Sequence, residues 1–209
     1  MRVLLTGSAG WLGRHLYPLL RKHGHTPIGL DLAPGPYVDI RGNVADRQLI
    51  DSLFEKYAFD GVVHTAALHK PDIERFTQQA FIDVNVTGTL NLLQNASLHS
   101  CEQFVFTSTT SLMISEQIRS ETHKQAHWLD EDFGPLEPRN IYGVTKLCAE
   151  HLCRLEHRYT SLNVIVLRTS RFFPEDDDTI RDMPGLNLKA IELLYRRAAV
   201  SDVARAHIA

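Results

Sequence analysis

The feature that most constrains this chain is a glycine turn between a short apolar strand and a helix at its N-terminus. Residues Met1–Thr6 are predicted to form a buried strand, and Trp11–His23 has the periodicity of a helix. Gly7, Gly10 and Gly13 stand between and within them at intervals of three. Such glycines let the backbone approach a phosphate closely, and the helix N-terminus adds unpaired N–H groups with a partial positive charge. The pattern therefore predicts a unit that binds the pyrophosphate of a dinucleotide.

An acidic residue follows at the end of the next predicted strand, Thr26–Leu30. Asp31 comes at about the spacing, roughly 20 residues, at which dinucleotide-binding units place the acid that binds the adenosine ribose. Its negative charge would repel the extra phosphate of NADP, so we expect NAD as the cofactor. An ordinary βα turn without a ligand is the alternative. The order of strand, glycines, helix, strand and acid favours the dinucleotide site.

The composition restricts the class of protein. The chain has 209 residues, 44% of them hydrophobic, which suits one large domain or a domain with a fragment of another. Its net charge is −3 and its Lys and Arg residues are scattered, which argues against nucleic-acid binding. No apolar run approaches the roughly 20 residues of a membrane span, and no signal-peptide pattern is present. The three cysteines have no metal-ligand spacing. We therefore expect a cytoplasmic protein with reduced thiols that binds no metal, nucleic acid or membrane.

Predicted strands and helices alternate along the chain, which favours an α/β fold with a doubly wound parallel sheet. The further predicted strands are Gly61–His64, Gln103–Thr107 and Asn163–Arg168. The further predicted helices are Asp46–Tyr57, Asp72–His99 and Ile141–Thr160, and residues 111–139 are predicted to be irregular. We predict a dinucleotide-binding domain over residues 1–170 and a partial substrate-binding region over residues 171–209.

A tyrosine and a lysine are placed where they can act together. Tyr142 and Lys146 are four residues apart on a predicted helix and therefore share one face. A free phenol has a pKa of about 10, and an adjacent ammonium with an oxidised nicotinamide ring favours the phenolate. Tyr142 can then remove a proton from a substrate hydroxyl while hydride leaves for the cofactor. Lys146 would also bind the nicotinamide ribose. An ordinary exposed Tyr/Lys pair is the alternative. Because Tyr142 and Lys146 follow a predicted dinucleotide fold at the expected distance, the catalytic interpretation is favoured.

With these motifs the chain resembles the extended short-chain dehydrogenases/reductases, the family of NAD-dependent sugar-nucleotide epimerases and dehydratases. The glycine turn and Asp31 match the cofactor motif of that family, and Tyr142 and Lys146 match its Y-x-x-x-K pair. The segment Phe106–Thr109 resembles its F-S-S-(S/T) motif, which implies that Thr109 carries a catalytic hydroxyl. The resemblance implies a Rossmann fold with a truncated C-terminal substrate-binding lobe.

The resemblance also implies a set of cofactor contacts, carried by short motifs along most of the chain. The residues so assigned are Gly7, Gly10, Trp11, Leu12, Gly13, Asp31, Asn43, Val44, Ala66, Ala67, Asn85, Thr107, Tyr142 and Lys146. Asn43 stands where the family usually has an acid, and an amide can still hydrogen-bond adenine.

Three residues are candidates for substrate binding. His69 comes just after the predicted turn that follows the third strand, and Thr109 can orient the reacting oxygen. Arg171 follows the last predicted strand, and an arginine fork suits the diphosphate of a nucleotide. A polar loop residue is the alternative for His69, and a structural ion pair is the alternative for Arg171.

Two departures from the family bear on the reaction. Sugar-nucleotide dehydratases usually carry Asp-Glu directly after the catalytic threonine, whereas Thr110 and Ser111 stand there in this chain, which disfavours 4,6-dehydration. Residues 196–209 resemble the D-V-A-x-A-H helix, which in the family normally precedes much of the substrate domain, and the sequence stops there; we therefore expect either a truncated chain or a minimal substrate domain.

We therefore expect a nucleotide-sugar epimerase that oxidises the sugar and returns hydride on the other face. The first alternative is an NAD-dependent dehydrogenase or reductase of a sugar, uronate or other alcohol. The second is a non-catalytic NAD-binding protein, which would have little need for Thr109, Tyr142 and Lys146 together. By the resemblance alone, we expect a homodimer formed through the helices predicted at residues 72–99 and 141–160.

Overall fold

Six parallel strands form one sheet in the order β3–β2–β1–β4–β5–β6. The structure is a computed structural model that describes residues 1–120, 127–172 and 198–209. The strands are β1 (Arg2–Thr6), β2 (Thr26–Asp31), β3 (Ile40–Arg41), β4 (Gly61–His64), β5 (Gln103–Thr109) and β6 (Asn163–Thr169). The doubly wound parallel sheet is the fold that the alternation of elements predicts.

Helices connect the strands and cover both faces of the sheet. The α-helices are α1 (Trp11–Lys22), α2 (Arg47–Lys56), α3 (Gln78–Phe81), α4 (Gly88–Leu98), α5 (Glu116–Ser120), α6 (Ile141–Tyr159) and α7 (Val200–Ala206). Two 3₁₀ turns lie at Lys70–Glu74 and Thr110–Met113, and a π-helical segment spans Ile82–Thr87.

Each face of the sheet has its own hydrophobic core because successive strand residues point to opposite sides. On β1, Leu4 points to the core formed with α2, α4 and α6, whereas Val3 and Leu5 point to the core formed with α1 and α7. Strands buried on both faces have continuous apolar sequences, as β1 and β4 do. Because all six strands are parallel, their carboxyl ends lie at the same end of the sheet.

The strand order reverses between β1 and β4, and ligands of such sheets bind in the crevice at that point. Gly7 follows β1 and Thr65 follows β4, and the backbone N–H of Thr65 donates to the carbonyl of Thr6 across the gap. The glycine turn therefore lies at the reversal point of the sheet.

The helix predicted over Asp72–His99 is confirmed from Gln78 to Leu98, where α3, the π-helical segment and α4 follow one another without a gap, but its predicted start is wrong, because Lys70–Glu74 forms a 3₁₀ turn. Thr77 caps α3 by accepting the N–H of Ala80 at 3.2 Å, which ends the preceding turn. The predicted irregular segment also contains α5 and a 3₁₀ turn, and β3 was not predicted.

The last helix packs on the nucleotide-binding sheet. Val200, Val203 and Ala204 of α7 are buried in the same core as Leu12 and Leu16 of α1. The sequence assigns this stretch to a partial substrate-binding region, whereas its described residues contribute to the core under β1. The boundary at residue 170 stays a prediction.

Candidate functional site

The turn after β1 is built from glycines because a side chain would collide with the backbone there. Gly7 has a φ of +73°, in the left-handed region that favours glycine. A Cβ on Gly7 would lie 2.7 Å from the backbone nitrogen of Ala66, and a Cβ on Gly13 would overlap the carbonyl oxygen of Gly7. The turn, the start of α1 and the end of β4 therefore touch through their backbones.

The N-terminus of α1 opens beside this turn. Gly10 is the N-cap, so no side chain caps the helix, and the first turn contains no acidic residue. Trp11 begins the helix and is half-exposed, whereas Leu12 and Gly13 are buried. Helix N-termini bind anions through first-turn N–H groups, so the backbone of Leu12 and Gly13 is suited to a phosphate.

The carboxylate of Asp31 ties the glycine turn to the end of β2. One oxygen accepts the N–H of Ala9 at 2.9 Å, and the other accepts the N–H of Ala33 at 2.9 Å. A carboxylate oxygen has more than one acceptor position, so these bonds leave capacity for ribose hydroxyls.

The predicted adenine contacts lie after β3. The Oδ1 atom of Asn43 accepts the N–H of Ala45 at 3.0 Å, which fixes the turn. Val44 is buried because Gly88 leaves room for its side chain: a Cβ on Gly88 would lie 2.5 Å from Val44 Cγ2. The side chain of Val44 is therefore part of the core, and a cofactor contact at this position is left to its backbone.

Tyr142 and Thr109 meet at the carboxyl end of β5. Asn140 caps α6 by accepting the N–H of Gly143 at 3.0 Å, which places Tyr142 in the first turn of the helix. The side chain of Thr109 lies close enough to Tyr142 to act on its pKa, and its Oγ1 accepts the N–H of Ser111 at 3.1 Å. Burial raises the pKa of Tyr142, and the neighbouring Thr109 side chain acts in the opposite direction. The phenol is therefore protonated at neutral pH and can serve as a proton donor.

Lys146 is completely enclosed one turn beyond Tyr142. Its Nζ donates to the carbonyl of Thr107 at 2.7 Å and lies 4.5 Å from the ring centroid of Phe106. Burial lowers the pKa of Lys146 to about 8, and the nearby Cys153 and Glu150 act in the opposite direction. The ammonium is thus held on the carbonyl of β5, a contact that the sequence does not predict; its predicted contact with the nicotinamide ribose stays a prediction.

A buried histidine links β1, β4 and α4. His64 Nε2 lies 3.0 Å from Thr89 Oγ1, and the hydroxyl of Thr89 donates to the carbonyl of Asn85 at 2.7 Å. Thr89 therefore accepts from Nε2–H, which leaves Nδ1 to accept from Thr6 Oγ1 at 2.7 Å. Burial lowers the pKa of His64 well below its ordinary value, so this histidine is neutral.

Asn85 joins this network to helix α6. Its Oδ1 accepts the N–H of Leu68 at 2.8 Å, and its Nδ2 donates to the carbonyl of Leu68 and to Thr145 Oγ1. Thr145 donates in turn to the carbonyl of Tyr142 at 3.0 Å. The π-helical segment sets Asn85 in this position, as π-turns often do at functional sites. Its described contacts position the loop after β4 rather than extend toward a ligand.

Thr107 is held from both sides. Its Oγ1 lies 2.8 Å from His207 Nε2, and His207 Nδ1 donates to the carbonyl of Val203 at 2.7 Å. Nε2 is therefore the acceptor, and the Thr107 hydroxyl donates to it. With its carbonyl on Lys146 and its hydroxyl on His207, Thr107 couples α6 to α7; a direct cofactor contact of its side chain stays a prediction.

Two of the predicted substrate residues, His69 and Arg171, follow strands β4 and β6. His69 is the N-cap of the Lys70–Glu74 turn, and its Nδ1 is 3.1 Å from Asp72 Oδ2. Arg171 follows β6, where its carbonyl accepts the N–H of Ala198. Ala66 and Ala67 lie between β4 and His69, and the N–H of Ala66 donates to Thr6 Oγ1 at 3.2 Å.

No cluster of three potential metal ligands occurs among the described residues. In the same part of the chain, no helix is long and apolar enough to span a membrane.

Several buried polar residues near the site are not among the predicted site residues, among them His64, Glu150 and His207. Glu150 could have been found, because it continues the helical face of Tyr142 and Lys146 at the next turn. His207 ends a motif that the sequence analysis associates with the family, but its partner on β5 is 100 residues away.

Comparisons with known proteins identify sequences that are related to this chain. The sequence profile of the NAD dependent epimerase/dehydratase family matches residues 3–207. UDP-glucose 4-epimerase 4 of Oryza sativa subsp. japonica is 31% identical over 185 residues, which cover 79% of this chain and 48% of the relative. The chain spans about half the length of the curated relatives it matches.

Solved structures share the fold. A short-chain dehydrogenase/reductase superfamily protein from Agrobacterium tumefaciens, solved with bound NAD, is 31% identical with a TM-score of 0.69, covering 83% of this chain and 50% of its own. UDP-glucose 4-epimerase of Thermotoga maritima, solved with UDP-glucose, has a TM-score of 0.81 at 21% identity, covering 100% of this chain and 72% of its own.

Proposed function

We propose that this chain, which belongs to the NAD dependent epimerase/dehydratase family, binds NAD and carries the catalytic residues of a nucleotide-sugar epimerase. The observation that carries the proposal is the meeting of Tyr142, Thr109 and Lys146 at the carboxyl end of β5. This group lies at the same end of the parallel strands as the glycine turn, so a dinucleotide with its pyrophosphate on that turn would extend its nicotinamide toward Tyr142.

The residues present fit NAD. The turn at Gly7 and Gly13 has no room for side chains, and the uncapped start of α1 can accept a pyrophosphate. Asp31 offers a carboxylate to the adenosine ribose and an unfavourable charge to a 2′-phosphate. When bound, the nicotinamide would supply hydride acceptance and return, and Lys146 would hold its ribose.

The chain's own residues would move and hold the proton. Thr109 would orient the reacting hydroxyl of the sugar, and Tyr142 would take its proton as the carbon is oxidised and return it later. Burial raises the pKa of Tyr142, and the positive charges of the Lys146 ammonium and of an oxidised nicotinamide would favour the phenolate against it. Oxidation and return of hydride on the other face invert one carbon without net consumption of the cofactor.

Several relatives that the chain matches are UDP-glucose 4-epimerases, which supports a UDP-hexose as substrate. Thr110 and Ser111, in place of the acids of sugar-nucleotide dehydratases, support epimerisation over 4,6-dehydration. His69 and Arg171 are proposed to face the substrate.

The direct test is mass spectrometry of the nucleotide released by denaturing the gently purified protein, followed by incubation with UDP-glucose and UDP-galactose. Stoichiometric NAD and interconversion of the two sugars are expected. Net formation of NADH would instead indicate a dehydrogenase. NAD binding without any turnover would indicate a binding protein.

Replacement of Asp31 is expected to weaken NAD binding. Asp31→Ala removes the ribose acceptor and releases the N–H groups of Ala9 and Ala33, so we expect a loss of about tenfold or more in affinity, as for a hydrogen bond to a charged group. Calorimetric titration with NAD measures it. Asp83→Ala on the exposed π-helical segment is the control and should bind as the wild type does; equal affinity of Asp31→Ala would contradict the ribose assignment.

The proposal extends to a homodimer in a reducing, cytoplasmic compartment. All three cysteines are unpaired, as expected where thiols stay reduced. Along α6, the large apolar residues Val144, Leu155 and Tyr159 are exposed in one stripe. A second copy packed on this stripe would cover it.

Disruption of the stripe is expected to yield a monomer. In Leu155→Glu, a charge would replace an apolar contact, and light scattering after size-exclusion chromatography should give half the mass of the wild type. Trp128→Glu, also at an exposed apolar residue but away from α6, should leave the mass unchanged. A monomeric wild type, or an unchanged mass for Leu155→Glu, would contradict this interface.

A further inference from the structure

A carboxylate that the proposed chemistry does not use lies directly behind the catalytic residues. Glu150, one helical turn beyond Lys146 on α6, is 1% exposed. Its Oε1 accepts the hydroxyl of Ser108 at 2.6 Å, and its two oxygens accept Nε and Nη2 of Arg168 at 3.1 and 2.9 Å. One side chain thereby joins α6 to β5 and to β6.

The two partners of Glu150 are neighbours in the sheet. Ser108 and Arg168 are register partners across β5 and β6, and Thr169 adds a hydrogen bond from its Oγ1 to the carbonyl of Ser108 at 3.1 Å. Glu150 therefore holds β5 and β6 together at Ser108 and Arg168, each one residue before the carboxyl end of its strand.

The neighbours of Ser108 on β5 are the residues that lie against Lys146 and Tyr142. Ser108 stands between Thr107, whose carbonyl accepts from Lys146, and Thr109, whose side chain lies near Tyr142 and lowers its pKa. The side chain of Ser108 points to the face covered by α6, so Glu150 holds the strand from the side of the catalytic helix. A displacement of Ser108 relative to α6 would move both neighbours away from their partners on the same helix.

Stability alone does not account for such a group. Replacing a buried ion pair by apolar side chains of similar volume is often neutral or stabilising, because the charges lose their hydration. The best-attested use of buried polar groups is to select one arrangement of packed elements. Here the arrangement that is selected is the position of β5 along the axis of α6, which we call the height of β5 against α6.

We propose that Glu150 is a positioning residue that, through Ser108 and Arg168, sets the height of β5 against α6 at which Lys146 reaches the Thr107 carbonyl and Tyr142 meets Thr109. The proposal rests on the proposed function for its catalytic consequence, but the contacts that it concerns exist without cofactor or substrate.

The charge of Glu150 gives the proposal a second readout. The titratable groups that act on Lys146 are Glu150 and Cys153 on α6, His64 on β4 and His69 before the Lys70–Glu74 turn. His64 is neutral and the Cys153 thiol is protonated, since burial raises its pKa to about 12. Removing the Glu150 charge would lower the pKa of Lys146 further below about 8. Because the ammonium is the active form, the alkaline limit of activity would move to lower pH.

Two variants test the proposal. Ser108→Ala removes the strand contact and keeps the Glu150–Arg168 pair, so we expect kcat to fall about tenfold with KM nearly unchanged, as misplacement of reacting groups predicts. Glu150→Gln keeps an acceptor for Ser108 and removes the charge. We expect it to lower kcat and also the pKa of Lys146, followed by NMR titration of ¹³Cε-labelled lysine, whereas Ser108→Ala should leave this pKa in place.

Ser52→Ala is the matched control, because it removes one serine hydroxyl that bonds a carbonyl on the distant helix α2. Unchanged kcat in Ser108→Ala would overturn the proposal, as would a Glu150→Gln protein with lower melting temperature but wild-type kcat and Lys146 pKa. If Glu150→Gln fails to fold, the kcat of Ser108→Ala alone decides whether the positioning role holds. If the wild type turns over no nucleotide sugar, the proposed function fails, and an unchanged Lys146 titration in a folded Glu150→Gln protein would still overturn the positioning role.

Discussion

Tyr142→Phe is expected to reduce turnover of the nucleotide sugar by about 10²–10⁴-fold, the usual contribution of a positioned acid–base group. The change removes one oxygen, the atom that would exchange the proton with the substrate. Thr109 keeps its bond from the Ser111 N–H, and Lys146 keeps its bond to the Thr107 carbonyl, so the surrounding geometry should persist. The measurement is the rate of interconversion of UDP-glucose and UDP-galactose at saturating substrate.

The control for this variant is Tyr159→Phe, at the exposed last residue of the same helix. It should retain the wild-type rate. NAD affinity and melting temperature of Tyr142→Phe should stay close to wild-type values, since a single hydroxyl group contributes only about 1 kcal/mol through hydrogen bonding. A variant with half or more of the wild-type rate would refute the acid–base role.

Gly13→Ala is expected to disrupt the dinucleotide site and the packing around it. A Cβ here would overlap the Gly7 carbonyl and lie 2.7 Å from the Cα of Ser8, both of them backbone atoms that a rotamer change cannot relieve. The start of α1 would have to move away from the turn. Overpacking of this kind lowers the free energy of unfolding by about 1–3 kcal/mol. We expect NAD binding to become undetectable by calorimetry and the melting temperature to fall.

Gly35→Ala is the matched control for the glycine variant. Its Cβ would meet only ordinary contacts at 3.4 Å or more, among them Ala9 of the same turn region, and its φ is not in the left-handed region. It should bind NAD as the wild type does. Normal NAD affinity in Gly13→Ala would show that the close approach of α1 to the turn is not required for the site.

The sequence predicts most of the fold because the local signals and the global fold agree. Apolar runs bounded by turn residues mark β1, β4, β5 and β6 within two residues of their observed bounds. The helix predicted at Ile141–Thr160 likewise ends within one residue of α6. The late start of the helix predicted at residues 72–99 has a physical cause. The helical pattern extends back to residue 72, whereas the helix begins after Thr77, whose side chain caps it by accepting the N–H of Ala80.

The sequence by itself determines the chemistry that is available: a glycine turn, an acid after β2, and a tyrosine and lysine four residues apart. These depend on spacing along one or two elements, which is a local property. Only the tertiary structure decides that Lys146 bonds the Thr107 carbonyl, that His207 holds the Thr107 hydroxyl, and that Glu150 clamps Ser108 to Arg168. Each of these contacts joins residues 18 to 100 positions apart. No spacing rule encodes such pairs, because they depend on how strands and helices stack across the sheet.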